Sequence, residues 1–260
     1  MIKNIPTTKT RNQSAPDSPE LSVITVTYNE RENIRLFITT VNHIMNVAKI
    51  KGEIIVVDDS SPDGTSDVVL EMKKLFPNTI LIKRPGKMGI GSAYLRGFQE
   101  ARGTIAAFLD ADLSHAPEVL PELYGLAVQG NIAFGSRYLG NTTFEVDFAH
   151  RMGTYILNFW SRLWLNTGIY DHTNGYIVAK NESLKNIITY GKERECNPFD
   201  HVLYGITIAA IAKKLAIPRV ERKATYNKRQ HGETKIPFLW GLRVVFGDLV
   251  YVLKVWSTLR

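Results

Sequence analysis

Four apolar runs, "LSVITVTY" (21–28), "GEIIVV" (52–57), "TILIKR" (79–84) and "GTIAAFLD" (103–110), alternate with stretches whose apolar residues recur at helical spacing. The helical stretches are "NERENIRLFITTVNHIMNVAKI", "TSDVVLEMKKLF" and "IGSAYLRGFQEA". Runs this uniformly apolar are strands buried on both faces, and strands separated by helices run parallel. The alternation therefore predicts an α/β fold, with a mostly parallel twisted sheet covered by helices on both sides. Asn29 is placed to cap the first helix.

Ligands on such sheets sit beyond the carboxyl ends of the strands, so the strand ends carry the functional signal. The first run ends at Tyr28, Asn29 and Glu30; the second in "VDDSSPDGT", with Asp58 and Asp59; the fourth in Asp110, Ala111 and Asp112. Clustered carboxylates repel unless a ligand or cation compensates them. Asp110 and Asp112, at i and i+2 after a buried strand, are spaced to hold a hard divalent cation, Mg2+ or Mn2+, which would in turn hold a diphosphate. An alternative assigns Asp112 or Ser114 to capping the helix in "PEVLPELYGLA". "FLDADLS" also resembles the first motif of haloacid-dehalogenase-type phosphatases. That motif belongs on an early strand with the acidic pair after a later one, and here the pair precedes it.

With 260 residues and 44% hydrophobic content, the chain can bury one large core. Residues 1–19 are polar and without period, the pattern of a flexible tail. A single cysteine, Cys196, excludes an internal disulfide, and no apolar leader follows the first lysine, so a cytoplasmic location is expected. The net charge of +7 is concentrated late: from Lys213 to Arg260 there are eleven Lys or Arg against three acids. That excess implies an anionic partner such as nucleotide or lipid phosphate. No nucleic-acid-binding module is recognisable, so nucleic acid is not expected as a partner.

"VTYNERENI", "VVDDSSPDGT", "DADLSHAPE", "GSRYL", "DHTNGY" and "RQHGETK" occur in the order and spacing of family 2 inverting glycosyltransferases. Over roughly residues 21–240 the chain most closely resembles the group of dolichol-phosphate mannose synthases and polyprenol-phosphate sugar synthases. The resemblance implies a GT-A-type nucleotide-binding fold over residues 20–235. It implies that Val26, Tyr28, Glu30, Val57 and Asp59 surround the base and ribose. Asp110 and Asp112 would bind the cation and diphosphate, with Ser114 as a further metal ligand and Ala111 alongside. Arg137, Arg229 and Lys235 would hold phosphates from the other side. Departures from the family pattern are Val26 where Pro is common, Ser114 where Gln is frequent, and Asn174 in place of Ser.

The implied reaction moves a hexose, with mannose from GDP-mannose favoured over a UDP-sugar, onto a polyprenyl or dolichyl phosphate. An acceptor phosphate is already anionic at pH 7 and needs no strong base. A sugar hydroxyl on a soluble glycan or protein would need one, and Asp171 is the candidate for that role or for positioning. Asp112 and Arg137 complete the catalytic candidates. His115, His172 and His231 are assigned no catalysis. A third reading is a nucleotide-sugar-binding subunit without catalysis.

"FAHRMGTYILNFWSRLWLN" reads as an amphipathic helix with a heavy aromatic load, Trp160 and Trp164 included. The last stretch, 236–260, is apolar but interrupted by Arg243, Asp248 and Lys254, so it does not span a bilayer. Arg243 and Lys254 share one helical face, as in a helix lying in a membrane interface; the alternative is a helix packed on the core or on a partner protein's transmembrane helix. The expected partners are the cytoplasmic face of the plasma membrane or endoplasmic reticulum, or small membrane-anchoring subunits.

Overall fold

The computed structural model describes residues 18–139, 148–226 and 238–260. Its centre is a seven-stranded sheet built from β1 (Leu21–Thr27), β2 (Gly52–Asp58), β3 (Thr79–Lys83), β4 (Ile105–Phe108), β5 (Ile132–Ser136), β6 (Ile177–Lys180) and β7 (Arg219–Lys223). The order is β3-β2-β1-β4-β6-β5-β7. Pairing is parallel throughout except around β6, which runs antiparallel to both β4 and β5. The parallel half is the one legible from the alternation of runs. The reversal at β6 follows a stretch with no such alternation.

Side chains alternate across the sheet because successive Cβ atoms point to opposite faces. Val23, Ile54 and Val56 pack beneath α1 (Arg31–Val47), α2 (Thr65–Leu75) and α4 (Leu120–Val128). Ile24, Ile55 and Val57 pack beneath α3 (Ile90–Glu100), with α6 (Asn181–Lys192) and α7 (Tyr204–Lys214) extending the same layer. The helix α3 rests close on the strands because Gly97 has no side chain: a Cβ there would lie 2.5 Å from Ile24 Cγ2.

The aromatic stretch forms α5 (Phe148–Leu165), and the last stretch forms α8 (Phe238–Thr258). The α8 helix joins the α3 layer through buried Val252 and Val255, with Leu259 just beyond its end. Trp256 meets Trp164 of α5 edge-on at 4.6 Å, and Tyr251 hydrogen-bonds Thr207 of α7. Among the described residues no helix is long and apolar enough to cross a membrane.

Asn29 does not cap α1. Its backbone is left-handed, φ 60°, and no side-chain cap bond forms at the helix start. The exposed donors there are met from the second strand's loop instead, where Asp63 Oδ2 accepts the Arg31 N–H at 3.0 Å and Thr65 Oγ1 accepts the Glu30 N–H. Gly64, at φ 85°, lets the chain turn directly into α2.

Candidate active site

The carboxyl ends of β1, β2 and β4 open onto a cleft of about 310 Å3. Val26, Thr27, Tyr28 and Glu30 come from the first strand end, Asp59 from the second, and Asp110, Ala111 and Asp112 from the fourth. The remaining wall is the loop before α3 and that helix's first turns: Lys87, Gly89, Ile90 and Ala93. The parallel order of β2, β1 and β4 is what brings three acidic strand ends together.

The acids of "VDDSSPDGT" divide their work. Asp58 is fully buried and accepts bonds from Thr27 Oγ1 (2.9 Å), the Ser61 N–H (3.0 Å) and Ser66 Oγ (2.8 Å), tying the loop to β1 and α2. Asp63 binds Thr65 and Arg31. Burial alone would raise its carboxyl, yet these donors hold it below the ordinary range. Asp59 faces the cleft with both oxygens on Arg84, Nε to Oδ1 and Nη2 to Oδ2 at 2.7 Å. Arg84 also reaches Ser92 Oγ and the Gly89 carbonyl, so one guanidinium fastens β2, β3 and the start of α3.

Lys87 stands 3.5 Å above the centre of the Tyr28 ring, a cation–π contact across the cleft mouth. It is a cation among four lining carboxylates, Glu30, Asp59, Asp110 and Asp112. Close by, the N-terminus of α3 adds the positive end of a helix dipole. Neither Lys87 nor Arg84 belongs to the motifs read from the sequence. Their signal was the Gly-flanked "RPGKMGIG", a strand-to-helix turn at a carboxyl end.

Asp110 is the more open of the paired carboxylates, its side chain 36% exposed, whereas Asp112 is buried and accepts the Ser114 N–H at 3.0 Å. Tyr94 of α3 donates to Asp110 Oδ1 at 2.9 Å, and the Asp110 N–H donates to His115 Nδ1. Burial raises the Tyr94 phenol well above its ordinary value, with the Asp110 charge adding to it. Among the described residues no three His, Cys, Asp or Glu side chains converge to enclose a metal. Two neighbouring carboxylates fit a hard cation that takes its other ligands from phosphate oxygens and water, as Mg2+ does.

Val57 and Ser114 lie elsewhere than in the cleft wall: Val57 is in the core under α3, and Ser114 is fully buried behind the Asp110–Asp112 loop. Arg137 and Asp171 form a separate buried pair, Nη2 to Oδ1 at 2.7 Å and Nε to Oδ2 at 2.8 Å. Thr173 and Asn158 complete the surroundings of Asp171 Oδ1. Burial would raise the Asp171 carboxyl, but Arg137 and its hydrogen bonds hold it below the carboxylate range. Glu221 of β7 braces the same turn, accepting the N–H groups of Tyr170 and Asp171, and burial raises its carboxyl. His172 is neutral in the core, pushed down to about 4 by burial. Arg229 and Lys235 lie outside the described residues, as does the side chain of Arg243.

A mostly parallel sheet with an acidic cleft across β2, β1 and β4 is the layout of a GT-A glycosyltransferase. The profile described as "Glycosyl transferase family 2" matches residues 22–188, and the chain belongs to that family. It is 35% identical over 222 residues to a polyprenol monophosphomannose synthase of Mycolicibacterium smegmatis, covering 82% of this chain and 80% of that protein. It is 32% identical to a dolichol-phosphate mannosyltransferase of Pyrococcus furiosus, covering 84% of this chain and 59% of the relative's length. Among solved structures, a mannosyltransferase from Pyrobaculum calidifontis in complex with GDP-Man and Mn2+ shares the fold at TM-score 0.54 and 19% identity. That likeness covers 94% of this chain and 76% of the other.

Proposed function

We propose that this glycosyltransferase moves mannose from GDP-mannose to a polyprenyl phosphate, with inversion at the anomeric carbon and with Mg2+ or Mn2+ bound. The names of the two relatives support both donor sugar and acceptor. The observation that carries the reading is the cleft itself, in which Asp110 and Asp112 stand opposite Lys87 and the α3 N-terminus. In this reading Val26, Tyr28, Glu30 and Asp59 receive the nucleoside, and Val57 contributes through the strand that carries Asp58 and Asp59. Asp110 and Asp112 hold the cation, with Ala111 and Ser114 shaping their loop. When bound, the cation offsets the charge that develops on the departing diphosphate. Lys87 adds fixed positive charge to the cleft, and the family motif gives Arg229 and Lys235 a phosphate-binding role.

Arg137 is assigned to the acceptor side, where a phosphate would take part of its guanidinium. A phosphate nucleophile needs no base, and a fully buried Asp171 engaged by Arg137 suits positioning better than proton removal. Residues 20–235 form the catalytic unit, and α8 (within 236–260) together with α5 supplies the membrane-facing surface. On α5 the exposed side chains Met152, Tyr155, Ile156, Phe159 and Leu163 recur at i, i+3, i+4, i+7 and i+11, one apolar stripe. Phe246 and Val250 of α8 are also exposed. Such a stripe, beside basic residues Arg151, Arg162 and Lys254, suits the cytoplasmic face of an anionic bilayer.

The test is transfer from labelled GDP-mannose to a short polyprenyl phosphate with Mn2+. The expected result is a chloroform-extractable mannosyl phosphate, lost in Asp112→Ala. Release of GDP without an extractable product rejects the lipid acceptor, and faster turnover of UDP-glucose rejects the donor.

A further inference from the structure

Asp110 would be a metal ligand that stands partly in solvent, and a carboxylate so exposed needs an external constraint to hold one orientation. The buried phenol of Tyr94 supplies it. Its hydroxyl is 2.9 Å from Asp110 Oδ1 and 3.1 Å from the Leu109 carbonyl. With one proton to give, it favours the charged acceptor. Tyr94 is itself packed on all sides: it is fully buried, its ring edge-on to Phe108 at 5.4 Å and 5.1 Å from Tyr204. The Tyr204 hydroxyl donates elsewhere, to the Gly175 carbonyl at 2.9 Å.

We infer that Tyr94 is a positioning residue for the cation, fixing Oδ1 of Asp110 so that the carboxylate presents its remaining lone pairs to the cleft. The inference rests on the metal-dependent reading above. Partners that orient metal ligands are worth about ten- to a hundredfold in metal affinity. The nearby phenol of Tyr204 has the same chemistry and burial and meets the Tyr94 hydroxyl but not the carboxylate, so Tyr204→Phe separates the bond to Asp110 from a change in the packing around Tyr94.

The experiment is Mn2+ titration, followed by electron paramagnetic resonance with GDP present, on wild type, Tyr94→Phe and Tyr204→Phe, with GDP affinity and melting temperature measured in parallel. The expected result is Mn2+ affinity about ten- to a hundredfold weaker in Tyr94→Phe and near wild type in Tyr204→Phe. Equal affinity in wild type and Tyr94→Phe overturns the inference, as does equal weakening in both variants. Wild type that binds GDP but no Mn2+ overturns the metal reading and the inference with it. If Tyr94→Phe does not fold, 3-fluorotyrosine at position 94 keeps the hydroxyl. Its 19F resonance should then move on Mg2+ titration, and a resonance that stays fixed overturns the inference.

Discussion

The guanidinium of Arg137 holds the carboxylate of Asp171 by two parallel bonds, 2.7 and 2.8 Å long, with both side chains withdrawn from solvent. Removing one partner of a buried pair strands the other charge, which costs about 3 to 5 kcal/mol. Asp171→Asn is therefore expected to lower the melting temperature strongly, and Arg137→Lys to do so less because the charge survives without the fork. Residual Asp171→Asn activity should keep the wild-type pH profile, because Asp171 takes no proton in this account. Loss of the acidic limb of that profile would restore Asp171 as a general base.

Arg84 makes a similar pair with Asp59, but at the cleft wall. Arg84→Met leaves a buried carboxylate facing the cleft and releases Ser92 and Gly89, so GDP affinity should fall at least about tenfold. In the double variant Asp59→Asn with Arg84→Met no charge is stranded, and stability should return toward wild type. GDP affinity should stay low if Asp59 contacts the nucleoside. Calorimetric titration of wild type and the two variants separates the two effects.

Much of the cleft was legible because carboxylates at strand ends are visible in a sequence: Tyr28, Glu30, Asp59, Asp110 and Asp112 all line it. What sequence spacing hides is contact between elements. Arg84 and Tyr94 look like an ordinary strand-end cation and a helix aromatic; the pairing of β3 with β2 brings Arg84 to Asp59, and the packing of α3 on the sheet brings Tyr94 to Asp110. Asn29 failed as a cap for the same reason, since the capping carboxylate came from residue 63. The β6 reversal left no trace because β6 does not follow the strand–helix alternation from which the parallel half was read, and an apolar run does not encode a strand's direction.

The apolar stripe on α5 can be tested without disturbing the core. Phe159 is 61% and Leu163 60% exposed, so replacing them with Glu should leave the melting temperature nearly unchanged. On vesicles rich in anionic lipid, each Phe159→Glu or Leu163→Glu variant should cosediment less than wild type, and the double variant least. Each loses apolar burial and adds a charge of the wrong sign. Unchanged cosedimentation would remove α5 from the membrane-facing surface.

Asp248 of α8 predicts a pH dependence of stability. The residue is 7% exposed and burial raises its carboxyl to about 6, with the His201 Nε2 3.6 Å away. Burial lowers His201, whose ring stacks on Tyr251 at 3.8 Å, so above pH 7 the imidazole is neutral and offers no countercharge. A carboxyl raised in the folded state favours folding while it is protonated. That contribution is full below pH 3.8 and is lost as the pH climbs through about 6. Asp248→Asn keeps the shape and removes the ionisation, so at pH 8 it should be more stable than wild type by up to about 3 kcal/mol. The gap should narrow toward pH 4.5. His201 works in the opposite sense, since its depressed value costs stability as pH falls, but it is present in both proteins and largely cancels in the comparison. Melting temperatures of the two proteins from pH 4.5 to 8.5 check this, and a gap that is constant or widens at low pH would show that Asp248 is ionised without cost.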